Sequence, residues 1–303
     1  MKLHSHTALL TNQQAVKLRT VLQERGFDFE EKPYTLFAAR KDRLNVAVYE
    51  KGPKLLLQGR GIEDFITFIL EPEVTGQALL GYDEVHQPEL FTPHFGVDES
   101  GKGDFFGPLV IAGVYTDEKL AKKFQKLGVC DSKNIGSDKK IRELAVAIRA
   151  SQAPWDRVVI TPQKYNQLYE KIGNLNTLLA WGHARVLENL CAKVPACPRA
   201  LSDKFANERV LQRALLEQGK KLQLEQRTKA ESDYAVAAAS ILAREGFIDW
   251  LEQRGKELHV VLSKGVSSKV KATAAELVQA HGEAILPTIA KMHFKTAKEI
   301  LLS

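Results

Sequence analysis

Residues 96–104 read Gly96-Val97-Asp98-Glu99-Ser100-Gly101-Lys102-Gly103-Asp104, and an apolar run from Pro108 to Tyr115 follows them. With His94 and Phe95 leading in, the spacing predicts two strands around a glycine-rich turn. Two adjacent carboxylates end the first strand. Successive strand residues point to opposite faces, so Asp98 and Glu99 share one target only where the strand breaks up. The glycines flanking Lys102 supply that break and bring backbone N–H groups close to a ligand. Carboxylates beside such a phosphate-friendly turn fit a divalent cation held between acid and phosphate.

Downstream, helical patterns are expected at Glu118–Lys126, Asp138–Ala150, Pro162–Lys171 and Leu175–Cys191. Short strands are expected at Val158–Ile160 and Arg199–Ser202, and the alanine-dense Asp233–Trp250 reads as a closely packed helix. Helices at Lys269–Ala280 and Lys295–Leu301 end the chain. Strands that re-enter among helices imply a mixed α/β layer fold.

Upstream, Thr11 with Gln14 fits a capping box, and Ala15, Leu18 and Leu22 repeat at helical spacing until Gly26. Strands are expected at Thr7–Leu10, Tyr34–Ala39, Leu44–Tyr49 and Lys54–Gln58. A helix over Ile62–Leu70 is expected to end at Glu71-Pro72. The order β-α-β-β-β-α makes a helix-backed antiparallel sheet with one face free for a partner.

Charge separates these two blocks. Residues 1–70 carry a net +3 and residues 95–303 a net +8, whereas residues 71–94 hold five acids and no base. That acidic segment also holds Pro72, Gly76, Gly81, Pro88 and Pro93 and reads as a linker. The expected organisation is therefore a small α+β domain at 1–70, a linker at 71–94 and an α/β domain at 95–303. Two basic blocks suggest a polyanionic partner. No apolar run approaches the roughly 18 residues of a membrane span. The N-terminus lacks a signal-peptide core, so a cytoplasmic location is expected. Three cysteines without CxxC spacing exclude a disulfide framework and a thiolate zinc site. None of the eight histidines has zinc-protease spacing, and His183 reads as a packed or surface helix residue.

Further acids stand where the first pair needs company. Asp203 ends the short strand Arg199–Ser202, and Glu231 and Asp233 lie at the start of the alanine-rich helix. An acid in a first helical turn is also ordinary dipole complementarity, so spacing does not select between Glu231 and Asp233.

Asp98-Glu99-Ser100-Gly101-Lys102-Gly103-Asp104 resembles the opening motif of the type 2 ribonucleases H, with lysine between the glycines as in their HIII branch. The resemblance runs in order through Asp131-Ser132-Lys133, Asn174-Leu175-Asn176, Asp203-Lys204-Phe205-Ala206 and Thr228-Lys229-Ala230-Glu231-Ser232. It continues through Ala237–Arg244, Lys264-Gly265 and His293-Phe294-Lys295-Thr296. It implies an RNase H-like catalytic domain with a mixed sheet and flanking helices, preceded by a small α+β domain similar to half of a TATA-binding protein. It further implies Asp98, Glu99 and Asp203 as ligands of Mg²⁺ or Mn²⁺, with Glu231 as the fourth catalytic acid and Asp233 as the alternative. Gly101, Lys102, Gly103, Lys133, Asn176, Lys229 and Ser240 are the implied substrate contacts. The implied activity is hydrolysis of the RNA strand of RNA/DNA hybrids to 5′-phosphate and 3′-hydroxyl ends, by a monomer. Incision at single ribonucleotides in duplex DNA, as in the HII branch, and non-catalytic hybrid binding stand as alternatives.

Overall fold

A computed structural model describes residues 5–76, 87–204, 208–227 and 230–302. The chain divides into two compact units between Glu89 and Leu90.

In the first unit the capping box forms as expected. Gln14 N–H donates to Thr11 Oγ1 at 3.1 Å and Thr11 N–H to Gln14 Oε1 at 2.9 Å, starting α1 (Asn12–Glu24). The strands β1 (Ser5–Leu9), β2 (Asp28–Glu30), β3 (Thr35–Lys41), β4 (Leu44–Tyr49) and β5 (Lys54–Gly59) form one sheet in the order β1-β5-β4-β3-β2. Every pairing in it is antiparallel. Alternation sends Phe37, Ala39, Val46, Val48, Leu55 and Leu57 into a core with Leu18 and Leu22 of α1. The last helix departs from expectation. It begins as α2 (Ile62–Phe65) and runs on as a π-helix, Ile66–Thr75, with Pro72 inside it. Proline breaks an α-helix because its ring meets the carbonyl four residues back. The wider π turn removes that collision, and Gly76 N–H closes the end on Glu71 O at 2.8 Å.

The second unit is built on β6 (His94–Ser100), β7 (Leu109–Thr116), β8 (Trp155–Ile160), β9 (Arg199–Asp203) and β10 (Gln223–Arg227). Their order is β10-β9-β6-β7-β8. The β6-β7-β8 pairings are antiparallel, whereas β6-β9 and β9-β10 are parallel. Helices cover both faces. Val110, Ala112 and Val114 of β7 pack under α3 (Glu118–Leu127), α4 (Asp138–Ala150) and α8 (Tyr234–Glu257). Leu109 and Ile111 point the other way, toward α5 (Pro162–Ile172), α6 (Leu175–Lys193) and α7 (Glu208–Ala214). Helices α9 (Ser268–His281), α10 (Leu286–Ile289) and α11 (Lys295–Leu301) complete the first of these layers. The mixed α/β expectation is thus met. No helix among the described residues is long and apolar enough to cross a membrane.

Helix α8 sits closest to the sheet, and a glycine allows it. A Cβ on Gly96 would lie 2.2 Å from Val236 N and 2.3 Å from the Ala235 carbonyl carbon, so only glycine fits beneath the start of this helix. The alanine side chains facing the sheet keep the two layers in contact along the helix.

Candidate active site

Parallel pairing of β6 and β9 sets Phe95 beside Ala200 and Val97 beside Ser202. The two strands therefore end together, and Asp98 and Asp203 emerge at the same edge of the sheet. With Glu99, Lys102, Lys133, Arg244 and Lys264 among their neighbours, they line one cavity of ≈ 390 Å³. Gly101, Gly103, Asp104 and Ser132 also line it.

The strand does not break at the acids, contrary to the sequence expectation. Asp98 stays paired with Ala112, Glu99 with Ile111 and Ser100 with Val110. The break comes one residue later, at Gly101, whose φ of +90° and whose approach to Pro108 O suit glycine alone. Asp98 consequently faces the α8 layer and Glu99 the α6 layer, and the cavity wraps the strand end to reach both.

These opposite faces give the two acids opposite electrostatics. Asp98 is buried, and burial with the neighbouring charge of Glu99 holds its carboxyl well above the usual range. Its Oδ1 accepts the Glu99 N–H at 2.8 Å. Burial also opposes ionisation of Glu99, but His183, Lys102 and Lys133 outweigh it and leave this group below its ordinary value. His183 Nε2 stands 3.1 Å from Glu99 Oε2, and Lys102 Nζ 3.7 Å from Oε1.

The acid set is chemically suited to a hard divalent ion: carboxylate oxygens line the cavity, without thiolate or imidazole. A buried carboxyl beside a second carboxylate keeps its charge best next to a cation. Among the described residues, however, no three acid, histidine or cysteine side chains converge closely enough to hold an ion. Asp98, Glu99 and Asp203 line one opening without forming a closed cage.

The glycine-rich turn is held from behind. Asp104 Oδ1 accepts the Gly265 N–H at 2.6 Å, and Phe105 N–H donates to Gly265 O at 3.1 Å. Lys291, fully buried, donates from Nζ to Asp104 O at 2.9 Å and Gly107 O at 2.7 Å. Also lining the cavity, Arg244 donates from Nη1 to Ser132 O, and Lys264 Nζ pairs with Asp138 at 2.7 Å.

Other expected site residues fall elsewhere. Ser240 is buried and does not line the cavity. Its Oγ donates to Ala237 O at 2.9 Å and accepts the Ser132 N–H at 3.0 Å, so it fixes the loop that carries Lys133. Asn176 is exposed in the first turn of α6 and is absent from the cavity wall. Asp233 is consumed in structure: it accepts from Ala235 N–H at 2.8 Å and Val236 N–H at 3.2 Å, capping α8. It also meets the buried His94 Nε2 at 2.9 Å, at the far end of β6 from Asp98. Glu231 lies in the 3₁₀ turn Ala230–Ser232 just before that cap, and its side chain and Lys229 lie outside the described residues.

The profile of the ribonuclease HII family matches residues 95–297. Ribonuclease HIII of Protochlamydia amoebophila (strain UWE25) is 46% identical over 95% of this chain and 93% of its own. This chain belongs to the ribonuclease HII family, among its HIII members. Ribonuclease HIII of Chlamydia pneumoniae is 43% identical over 96% of both chains. Among solved structures, Bst-RNase HIII in complex with Mn²⁺ superposes with a TM-score of 0.68 at 27% identity, covering 98% of each chain. Aquifex aeolicus RNase H3 superposes with a TM-score of 0.56 at 27% identity, covering 96% of this chain and all of its own.

Within this ribonuclease framework, sequence reasoning missed His183 and gave no role to Arg244 or Lys264. The signal for His183 was its place on the buried stripe of α6, between Leu179 and Val186–Leu187, where an apolar residue belongs.

Proposed function

We propose that the chain hydrolyses the RNA strand of RNA/DNA hybrids, with Asp98, Glu99, Asp203 and Glu231 as its four catalytic acids. The observation that carries this reading is the meeting of three carboxylates from two parallel strand ends in one cavity rimmed by Lys102, Lys133, Arg244 and Lys264. Carboxylates and cations side by side suit a phosphodiester: the cations draw in the backbone, and the acids handle the centre of reaction. Asp98, Glu99 and Asp203 would hold Mg²⁺ or Mn²⁺, which when bound supplies an activated water and neutralises charge on the phosphoryl and leaving oxygens. Lys102 and Lys133 contact phosphates, and the backbone of Gly101 and Gly103 approaches the ribose, where a 2′-hydroxyl distinguishes RNA from DNA. Lys229 is a further phosphate contact. The first unit resembles half of a TATA-binding protein and adds affinity for the hybrid; the enzyme acts as a cytoplasmic monomer.

The test is cleavage of a labelled hybrid with Mg²⁺ or Mn²⁺, with and without EDTA. We expect internal cuts in the RNA strand bearing 5′-phosphate ends, and none in EDTA. Cleavage that persists in EDTA would exclude the metal-dependent reading. Cleavage restricted to single ribonucleotides in duplex DNA would favour an HII-like specificity.

A further inference from the structure

Glu99 is met on the α6 face of the sheet by a single buried histidine, and the backbone around it is arranged for that meeting. His183 has no exposed surface and lies on the helix stripe that otherwise contributes Leu179, Val186, Leu187 and Leu190 to the core. An imidazole buried among such side chains costs about 1–3 kcal/mol unless its polar atoms are hydrogen-bonded. Helix α6 packs closely on the sheet at Gly182, where a Cβ would fall 2.6 Å from Ile111 Cδ1. Ile111 is the cross-strand partner of Glu99. The close approach thus occurs at the level of the carboxylate and sets Nε2 3.1 Å from Oε2. An ionised carboxylate only accepts, so the proton of this bond sits on Nε2.

We propose that His183 is a positioning residue for Glu99. Its Nε2–H ties down Oε2 and turns Oε1 toward the cavity, where Lys102 stands on the same side. Side chains that orient a ligating carboxylate in this way tune cation affinity without touching the ion. The inference rests on the proposed role of Glu99 as a ligand, and it assigns His183 neither proton transfer nor contact with substrate.

The test measures Mn²⁺ binding to the full-length protein by calorimetry, without nucleic acid. His183→Leu removes the donor and keeps the pocket apolar; His183→Gln retains an N–H near the same position. We expect His183→Leu to weaken Mn²⁺ binding by about 10–100-fold, with His183→Gln recovering most of it and the KM for hybrid unchanged. In a Glu99→Gln background, His183→Leu should cost nothing further. A folded His183→Leu protein with wild-type Mn²⁺ affinity overturns the proposal, as does an equal loss in the Glu99→Gln background. Should the leucine variant fail to fold, His183→Asn, too short to reach Oε2, takes its place and wild-type affinity there has the same force. A wild-type protein that binds no Mn²⁺ counts instead against the proposed function, so the two failures are separable.

Discussion

Asp233 and Glu231 stand two residues apart, and their substitutions are expected to diverge. Asp233→Ala removes the cap of α8 and leaves buried His94 facing a void, a loss of about 2–3 kcal/mol from these two sources. Urea denaturation should register that loss. Glu231→Gln should leave the denaturation midpoint in place and remove cleavage. If Asp233→Asn alone destroys cleavage with stability intact, the assignment reverses. Asp98→Asn is expected to do two things at once. It deletes a charge held unfavourably against Glu99 at almost constant volume, so the melting temperature in EDTA should rise. Turnover should fall by 100-fold or more, on the order of removing one stabilising group from a transition state. Glu99→Gln and Asp203→Asn should likewise lose turnover. Substantial turnover by any of the three under Mg²⁺ would argue against a shared cation site.

At the scale of elements, the turn after Gly103 depends on one buried lysine. Burial pushes the Lys291 ammonium down to about 7 from the ordinary 10.5, against the raising effect of Asp104. An unfolded lysine keeps its proton up to about 10.5, so between these values unfolding takes up a proton and stability rises with pH. The contribution is complete above the upper value and lost as pH falls through the lower one. Melting temperatures at pH 7 and pH 9.5 should therefore differ more for the wild type than for Lys291→Met; equal differences would refute this account. Such elements were unequally legible in the sequence. Helices α4 and α11 form over the expected residues; an amphipathic pattern between Ser137 and Ser151 marks α4. Strands β2 and β10 were not anticipated: Asp28-Phe29-Glu30 and Gln223-Leu224-Glu225-Gln226-Arg227 are short, polar edges whose strand character comes from β3 and β9 beside them. The π-helix at Pro72 escaped for a related reason, since proline rules describe α geometry. At the site, the acids Asp98, Glu99 and Asp203 were legible as strand-end carboxylates. His183 was not, because its partner lies on another element and local spacing is silent about it; Ser240, implied as a substrate contact, instead holds the Ser132 backbone.

At the scale of the whole molecule, each unit has its own apolar core. The charge pattern of the sequence foreshadows two bodies, though not what each contributes. The face of the first sheet turned away from its core carries Leu36, Arg40, Asn45, Leu56 and Gln58. Deleting residues 1–85 should raise the Kd for hybrid, most visibly at low salt, where the lost phosphate contacts count most, while metal-dependent cleavage persists at saturating substrate. Thermal unfolding of the truncated protein is the control. A folded remnant that binds hybrid as tightly as the full chain across a salt series would remove the first unit from substrate binding.

Parallel pairing of β6 with β9 also has a consequence in time. The hairpin of β6 and β7 can close as soon as its own residues are made, since its turn is short. Its other edge must wait for β9, which arrives only after four further helices and a strand have left the ribosome. Long-range parallel contacts form slowly because the entropy of closing the intervening loop comes first. Until then the apolar edge at Phe95–Val97 is open to misassociation. On the proposed assignment the newborn chain is consequently unarmed: Asp98 and Glu99 exist early, but Asp203 and Glu231 join them only once β9 and the turn before α8 have been made.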